Sequence, residues 1–251
     1  MIKIENINVI GFEHAIRGMR NPMNSWEKSD SFCGDIPCHE CSDNQKCEYY
    51  HHGMEYGKPY RNTRMNFHNY IGPNDQKLMM NLRNAGTDHR KFMRMIVVYC
   101  DIVAPFYFWK EFSTYKVGTV ANSCSTMHKI AAKEFTLEDF SCEHLVDEKD
   151  GWVRDGKDQL WCSARTHMET TVNLLNAYRY HYLETKDKKY WWQMIQLLPS
   201  SYNQRRTVML NYEVLANIYK SRRNHKLDEW RELCEWIEGL PYSELIIGKE
   251  E

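Results

Sequence analysis

The chain has no uninterrupted apolar run near the roughly 20 residues that a membrane-spanning helix needs, which argues against a membrane partner. It also lacks an excess of charge of one sign. Lys and Arg total 33 against 34 Asp and Glu, a formal net charge of -1. That balance does not suggest a nucleic-acid-coating protein or an acidic tail, since both depend on a field of one sign. Local basic clusters remain available for phosphate. The opening residues MIKIENINVIGF are too mixed in polarity for a secretory signal. No internal repeat, low-complexity tract or flexible linker stands out. A disulfide framework is missing too: the nine cysteines are odd in number and widely scattered, which suits reduced thiols. The expectation is a cytoplasmic protein without a nucleic-acid partner.

What is present is enough apolar material for a core. The 251 residues are 42% hydrophobic, sufficient for one large domain or two small ones. Sixteen Tyr and eight Trp supply apolar area together with polar handles that need partners.

Residues 2–10, with Ile2, Ile4, Ile7 and Val9, predict a short strand. Phe12, Ala15, Ile16 and Met19 recur at helical spacing, and Pro22 ends that pattern. Residues 24–60 are polar, bear Cys and His, and read as a long loop or insertion. Gly72-Pro73-Asn74 predicts a helix start capped by Asn74, with Leu78, Leu82 and Ala85 inward and Gly86 as the stop. Residues 92–103 predict a buried strand, and Pro105 the start of the next helix. Residues 135–160 read as a surface connection. Met168, Val172, Leu175, Tyr178 and Tyr182 mark a long helix over 164–185, and an aromatic-rich one follows over 187–197 until Pro199. Residues 206–210 suit a strand. Val214, Leu215, Ile218 and Tyr219 mark one further helix, and Trp230, Leu233, Cys234 and Ile237 another. One mixed α/β domain over 1–251 is the simplest organisation.

The most informative stretch is 104–128, APFYFWKEFSTYKVGTVANSCSTMH. A cationic and aromatic run (Lys110, Phe112, Tyr115, Lys116) leads through the small turn Val117-Gly118-Thr119 into Asn122, Ser123, Cys124, Ser125 and Thr126. These are the residue kinds of a nucleotide-handling loop. A second stretch runs from Leu198-Pro199 through Arg205, Asn211 and Asn217 to Arg222. A third runs from Trp230 to Leu240, followed by Pro241.

Together these segments resemble the flavin-dependent thymidylate synthases. That family has an apolar strand, Ala-Pro, Arg-Gln-Trp, Arg-His-Arg, a short turn and Asn-Glu-x-Ser-x-Arg. Ala104-Pro105 match; Lys110-Glu111-Phe112 fall on Arg-Gln-Trp and Thr114-Tyr115-Lys116 on Arg-His-Arg. After one extra residue, Asn122 to Met127 fall on the last motif. Arg205, Asn211, Asn217 and Arg222 fall on the family's strand Arg, two Asn and helical Arg. The resemblance covers about half of the chain, with a weaker match over 78–105, where Met95 sits near a family His.

The resemblance implies an α+β fold, an antiparallel sheet flanked by helices, carrying here a Cys-rich insertion near residues 30–55. It implies a homotetramer with active sites shared between subunits, each holding FAD beside dUMP. The implied reaction is reductive methylation of dUMP to dTMP, with carbon from methylenetetrahydrofolate and reducing power from NADPH. No protein nucleophile is required, and the protein orients the reactants. The implied cofactor-binding residues are Thr114, Tyr115, Lys116, Asn122, Asn211 and Asn217. The implied substrate-binding residues are Lys110, Glu111, Ser123, Ser125, Arg205 and Arg222, with Ser125 also beside the reacting pyrimidine.

Each residue type has two readings. The Ser125 hydroxyl can bond a uracil edge or a phosphate, or cap a helix. Asn122, Asn211 and Asn217 offer donor and acceptor to a flavin, or satisfy backbone. Asn211 and Asn217, six apart, do not stack on one helical face. Arg222 can grip a phosphate bidentately, or with Lys220 and Arg223 complement a helix dipole; Arg205 and Arg206 share that ambiguity. Lys110 and Lys116 keep charge without the guanidinium fork. Thr114 and Met127 stand where the family has Arg, Ser123 where it has Glu, and Glu111 where it has an amide, changes that weaken dUMP binding unless other residues substitute.

Two alternatives remain open. One is a flavin- or nucleotide-binding protein of this fold with another pyrimidine substrate or a regulatory role. The other is a metal-stabilised interaction module built on Cys33, Cys38, Cys41 and Cys47 with His51 and His52, whose thiolates have partly knuckle-like spacing. Cys100, Cys162 and Cys234 lie in apolar patterns and read as core. Nothing near Cys124 in sequence activates it. Trp191 and Trp192 read as packing.

Overall fold

The computed structural model describes residues 2–33, 69–147 and 163–248. Strand β1 (Lys3–Ile10) and helix α1 (Phe12–Arg20) stand where the pattern put them. Between them Gly11 takes φ 96, where its missing Cβ would lie 2.0 Å from the Met95 carbonyl oxygen. Only glycine supplies that turn and that approach together. Within 24–33 a single turn at Trp26–Lys28 leads to β2 (Phe32–Cys33), antiparallel to β3 (Asn69–Tyr70). The rest of the expected insertion lies outside the described residues. So do Cys38, Cys41, Cys47, His51, His52 and Cys162.

Helix α2 (Pro73–Asn84) is capped differently from expectation. Asn74 lies inside the helix, and Gly72 is the capping residue. The Asp30 carboxylate accepts the exposed N–H groups of Asn74 (2.9 Å) and Asp75 (3.1 Å), so the cap comes from a distant loop. The inward face is Asp75 and Met79 rather than Leu78, Leu82 and Ala85, because Asp75 is drawn in by a buried ion pair with Arg20 at 2.6 Å.

The next strand begins later than its composition suggested. Arg90–Met95 form a 3₁₀ turn, and β4 spans Val97–Pro105. Pro105 ends the strand and caps α3 (Phe106–Phe112) instead of opening it. Then come β5 (Thr119–Ser123), α4 (Thr126–Lys129) and a single turn at Leu137–Asp139. The expected surface connection is not all surface, since Phe135 and Phe140 are buried. Helices α5 (Ala164–Thr185) and α6 (Lys188–Leu197) follow, then β6 (Asn203–Asn211), α7 (Tyr212–Arg222), α8 (Asp228–Glu238) and α9 (Glu244–Ile247).

The four longer strands form one antiparallel sheet in the order β1-β4-β6-β5, giving the expected α+β architecture. No helix among the described residues is long and apolar enough to cross a membrane.

The chain divides into two compact units. One comprises Met1–Lys3, Ile102–Thr114 and Asn122–Arg206; the other comprises Ile4–Asp101, Tyr115–Ala121 and Thr207–Glu251. In the first, Phe108, Trp109 and Phe112 pack ring against ring at 5.2–5.7 Å. A cluster of Ile130, Phe135, Phe140, Val172, Leu175 and Met194 holds its helices together. In the second, Phe12 meets Tyr212 and Tyr242 edge-on at 5.7 and 5.4 Å. Trp230, Leu233 and Ile237 bury one stripe of α8 completely. Cys100 and Cys234 belong to this core as expected, and burial pushes both thiols up to about 12.

Candidate functional site

The candidate residues divide between the two units. In the second unit the α7 helix carries two of them, Asn217 and Arg222, and is capped by a third. Asn211 ends β6 and caps α7, its Oδ1 accepting the Val214 N–H at 2.9 Å. Only 9% of it is exposed. Beside it Gly118 takes φ 76, and a Cβ there would lie 2.4 Å from the Asn211 Nδ2. Gly118 therefore supplies both a left-handed turn and room for the Asn211 amide. The Thr119 Oγ1 next to it is buried without a hydrogen-bond partner among the described residues. Asn217 is exposed on the helix, its Oδ1 accepting from Arg90 at 3.2 Å.

Arg222, in the last turn of α7, is held from several directions. Its Nε donates to the Tyr115 hydroxyl at 3.0 Å. Its guanidinium carbon lies 4.6 Å from the Trp230 ring centroid and 5.8 Å from that of Tyr115. Its Nη1 is 2.9 Å from the His225 Nε2, while the Leu227 N–H points at the His225 Nδ1 at 3.2 Å. A neutral imidazole accepts at one nitrogen, so His225 serves one of these donors at a time. Lys116, next to Tyr115, is exposed. The acidic member of this unit is Glu213, which pairs with Arg90 (3.3 Å) and with Arg94. Burial pushes its carboxyl up, but the bonds and charge of Arg94 and Arg90 outweigh that and hold it below its ordinary value.

The first unit presents a different picture. Asn122 and Ser123, read as part of a loop, lie on β5, and both are exposed. Ser125 caps α4, its Oγ accepting the His128 N–H at 3.3 Å. Its capping reading is therefore realised, with the side chain still exposed. Thr114 closes α3: its Oγ1 and its N–H both donate to the Glu111 carbonyl, at 2.8 and 3.0 Å. Lys110 and Arg205 are exposed.

Two residues that the pattern did not single out, Gln204 and Trp109, organise this unit together with Arg206. The Gln204 Nε2 donates to the Cys124 carbonyl (2.9 Å) and to the Thr126 Oγ1 (3.1 Å), tying the 122–126 segment to β6. The Trp109 Nε1 donates to the Gln204 carbonyl at 2.9 Å. Arg206 lies over the Trp109 ring at 4.4 Å and donates to the Gln204 Oε1 at 3.0 Å. Burial lowers its guanidinium pKa. A buried glutamine two residues from a cation in a strand is a weak signal that only the fold makes legible. Among the described residues no group of three or more His, Cys, Asp or Glu side chains is placed to hold a metal.

No protein-family model matches the chain, and no curated protein matches it by sequence. Solved structures match it in fold. A flavin-dependent thymidylate synthase, ThyX from Helicobacter pylori complexed with FAD and dUMP, superposes at a TM-score of 0.59 with 15% identity, over 98% of this chain and 98% of that one. A second structure of that enzyme with FAD and dUMP gives 0.59 at 14% identity over the same shares. A UMP/dUMP methylase, PolB from Streptomyces cacaoi bound with 5-Br dUMP, gives 0.52 at 12% identity, over 95% of this chain and 88% of that one. The chain has the fold of the flavin-dependent thymidylate synthases.

Proposed function

We propose that the chain is a divergent flavin-dependent thymidylate synthase, reductively methylating dUMP to dTMP with FAD, NADPH and methylenetetrahydrofolate. The likeness of fold over 98% of the chain to a structure holding FAD and dUMP carries this reading. On it the two units are parts of one catalytic domain, cytoplasmic and assembled as a homotetramer with shared sites.

The residues present fit an anionic nucleotide and a flavin. Arg222 is oriented by Tyr115 and Trp230 before any ligand arrives, which reduces the ordering that phosphate binding requires. Lys116, Lys110 and Arg205 add exposed positive charge for phosphate or pyrophosphate. Gly118 makes room for the Asn211 amide, and the Thr119 Oγ1 beside it has no hydrogen-bond partner among the described residues. When bound, the flavin supplies the hydride; the chain binds, orients and excludes water. Ser125 and Asn217 then offer hydrogen bonds to a pyrimidine edge or to the cofactor. Glu111 and Ser123 complete the substrate side, and Thr114, Tyr115 and Asn122 the cofactor side.

Absorbance of the purified protein tests the cofactor: flavin colour, native or on adding FAD, is expected, and a protein that stays colourless refutes a flavin enzyme. Labelled methyl transfer tests the substrate. A second reading keeps the fold and the flavin with another pyrimidine nucleotide. It is favoured by Thr114 serving as a helix stop and by Met127 offering only a carbonyl, to the Trp191 indole at 3.1 Å, where the family pattern has Arg. Transfer to UMP or another pyrimidine nucleotide in preference to dUMP would establish it.

A further inference from the structure

A cavity of about 410 Å³ opens in the first unit, between α4 and the junction of α5 with α6. That volume lies within the usual range of small-molecule sites, roughly 300–1,000 Å³. Among the described residues its lining contains Lys186, Lys188, His128, Trp191 and Tyr182, and no Asp or Glu. Neither Lys186 nor Lys188 forms an ion pair among the described residues. The nearest acid in sequence, Asp187, is engaged elsewhere. Its Oδ1 caps α6 through the Lys189 N–H at 2.9 Å, and its Oδ2 pairs with the Lys189 ammonium at 3.1 Å.

The backbone adds a second observation. Lys186 takes φ 55, the left-handed conformation, as the C-cap of α5, and its N–H donates to the Tyr182 carbonyl at 2.9 Å. Glycine or asparagine is the usual occupant of that position, and a lysine there costs about 1 kcal/mol. A strained cation at the mouth of a cavity without acids points to the charge being used. Helix α6 begins at Lys188, its N-terminus capped by Asp187, so the positive charge of the cavity comes from the two ammonium groups themselves.

The walls are aromatic and fixed. The Trp191 indole is anchored by its bond to the Met127 carbonyl on α4, and the Lys188 ammonium sits 6.0 Å from the Trp191 ring centroid and 5.7 Å from that of Trp192. Trp192 itself is 43% exposed, which corrects the expectation that both tryptophans serve packing. We propose that this cavity binds a planar aromatic ring carrying a carboxylate or phosphate. The ring lies against Trp191 and Tyr182, and the anion sits between Lys186 and Lys188. The site is additional to the nucleotide reading above and does not depend on it.

Calorimetric titration of the full chain without added FAD or dUMP tests this, since both are themselves aromatic rings carrying phosphate and would fill the cavity; the lysine variants below separate this site from any nucleotide cleft. One arm uses 4-aminobenzoyl-L-glutamate as the carboxylate probe, and the other uses adenosine 5′-monophosphate as the phosphate probe. Saturable binding in either arm is expected, and the arm that binds names the anion. Lys188→Gln should weaken it about tenfold, and Lys186→Asn with Lys188→Gln roughly a hundredfold. Both lysines are exposed and Asn tolerates the left-handed turn, so far-UV circular dichroism should stay unchanged. Absence of binding in both arms overturns the proposal. So does binding that survives the double substitution, which would leave Lys186 as the C-terminal complement of α5 and Lys188 as a surface cation beside Trp191 and Trp192.

Discussion

The two units hold their polar candidates in opposite ways. In the second unit, Arg222 is fixed by a hydroxyl, an imidazole and two rings, and Asn211 is buried as a cap. In the first, Asn122, Ser123, Ser125, Lys110 and Arg205 are exposed, and their segment is tied down mainly through backbone atoms, such as the Cys124 N–H to the Arg205 carbonyl at 3.0 Å. A group fixed in advance loses little entropy on binding, whereas an exposed one must be ordered by its ligand. Under the proposed function, the second unit offers preordered groups and the first offers groups that a ligand would have to order.

The strongest way to break this contrast is to remove its anchor. Trp230 is fully buried and supports Arg222. Trp230→Ala should destabilise the protein by about 3–5 kcal/mol in denaturant titration, while Trp230→Phe, which keeps a ring, should lose far less. A cost for Trp230→Ala below about 1 kcal/mol would mean that the cluster is not preformed.

Arg222 comes next. Under the proposed function, Arg222→Gln should remove a charge-assisted phosphate contact worth about 2–3 kcal/mol. That is a rise in the KM for dUMP on the order of 30- to 150-fold. Arg222→Lys should recover only part of it, because an ammonium lacks the planar fork. Equal kinetics for Arg222→Lys and the parent protein would show that charge alone is used.

Glu213 sharpens the contrast through pH. Its folded pKa is depressed, the Arg94 and Arg90 interactions outweighing burial. A depressed carboxylate stabilises the fold fully above its unfolded pKa, near 4.3, and that contribution is lost as pH falls through the folded value. Glu213→Gln should therefore cost about 1–2 kcal/mol at pH 7, with the gap between variant and parent closing below about pH 4. Asp75 has the same sign: burial raises it, and bonds from Ser29, Ser31 and Arg20 more than compensate. Denaturant titrations at pH 7 and pH 3.5 check both, and a gap that widens at the lower pH would contradict the assignment.

Most helices were legible because their apolar spacing is their reason for existing. α1, α5 and α8 bury or half-bury the stripes that predicted them. β5 was not legible. Four of its five residues are exposed, so no alternation marks it, and it is a strand because β6 offers it an edge. The early limit set for β4 failed because Phe92 and Met93 are buried from a 3₁₀ turn, where their apolar character looks like that of a strand. The cap of α2 was misread because its acceptor, Asp30, is more than forty residues away in sequence. At the candidate site the Tyr115–Arg222 pair joins two motifs that sequence could only list side by side. The anchoring role of Gln204 depends on strand register, which the chain does not display.

The smallest expected effect is also the most discriminating. Asn211 and Ser125 are both helix caps, one buried at the head of an eleven-residue helix and the other exposed at the head of a four-residue one. Asn211→Ala should cost about 1 kcal/mol or somewhat more, since a cap on a long packed helix is fully used. Ser125→Ala should cost no more than about 0.5 kcal/mol, because so short a helix adds little by itself and its capping bond is long at 3.3 Å. If Ser125 only caps, methyl transfer in Ser125→Ala should fall no further than its small loss of stability allows. If its hydroxyl meets the pyrimidine, as the proposed function requires, kcat should fall by at least tenfold in a protein that melts almost normally, and Ser125→Thr, which keeps the hydroxyl, should retain more activity than Ser125→Ala. A normal kcat in Ser125→Ala would leave the exposed face of the first unit without a catalytic role for this residue, and the contrast would then rest on Arg222 alone.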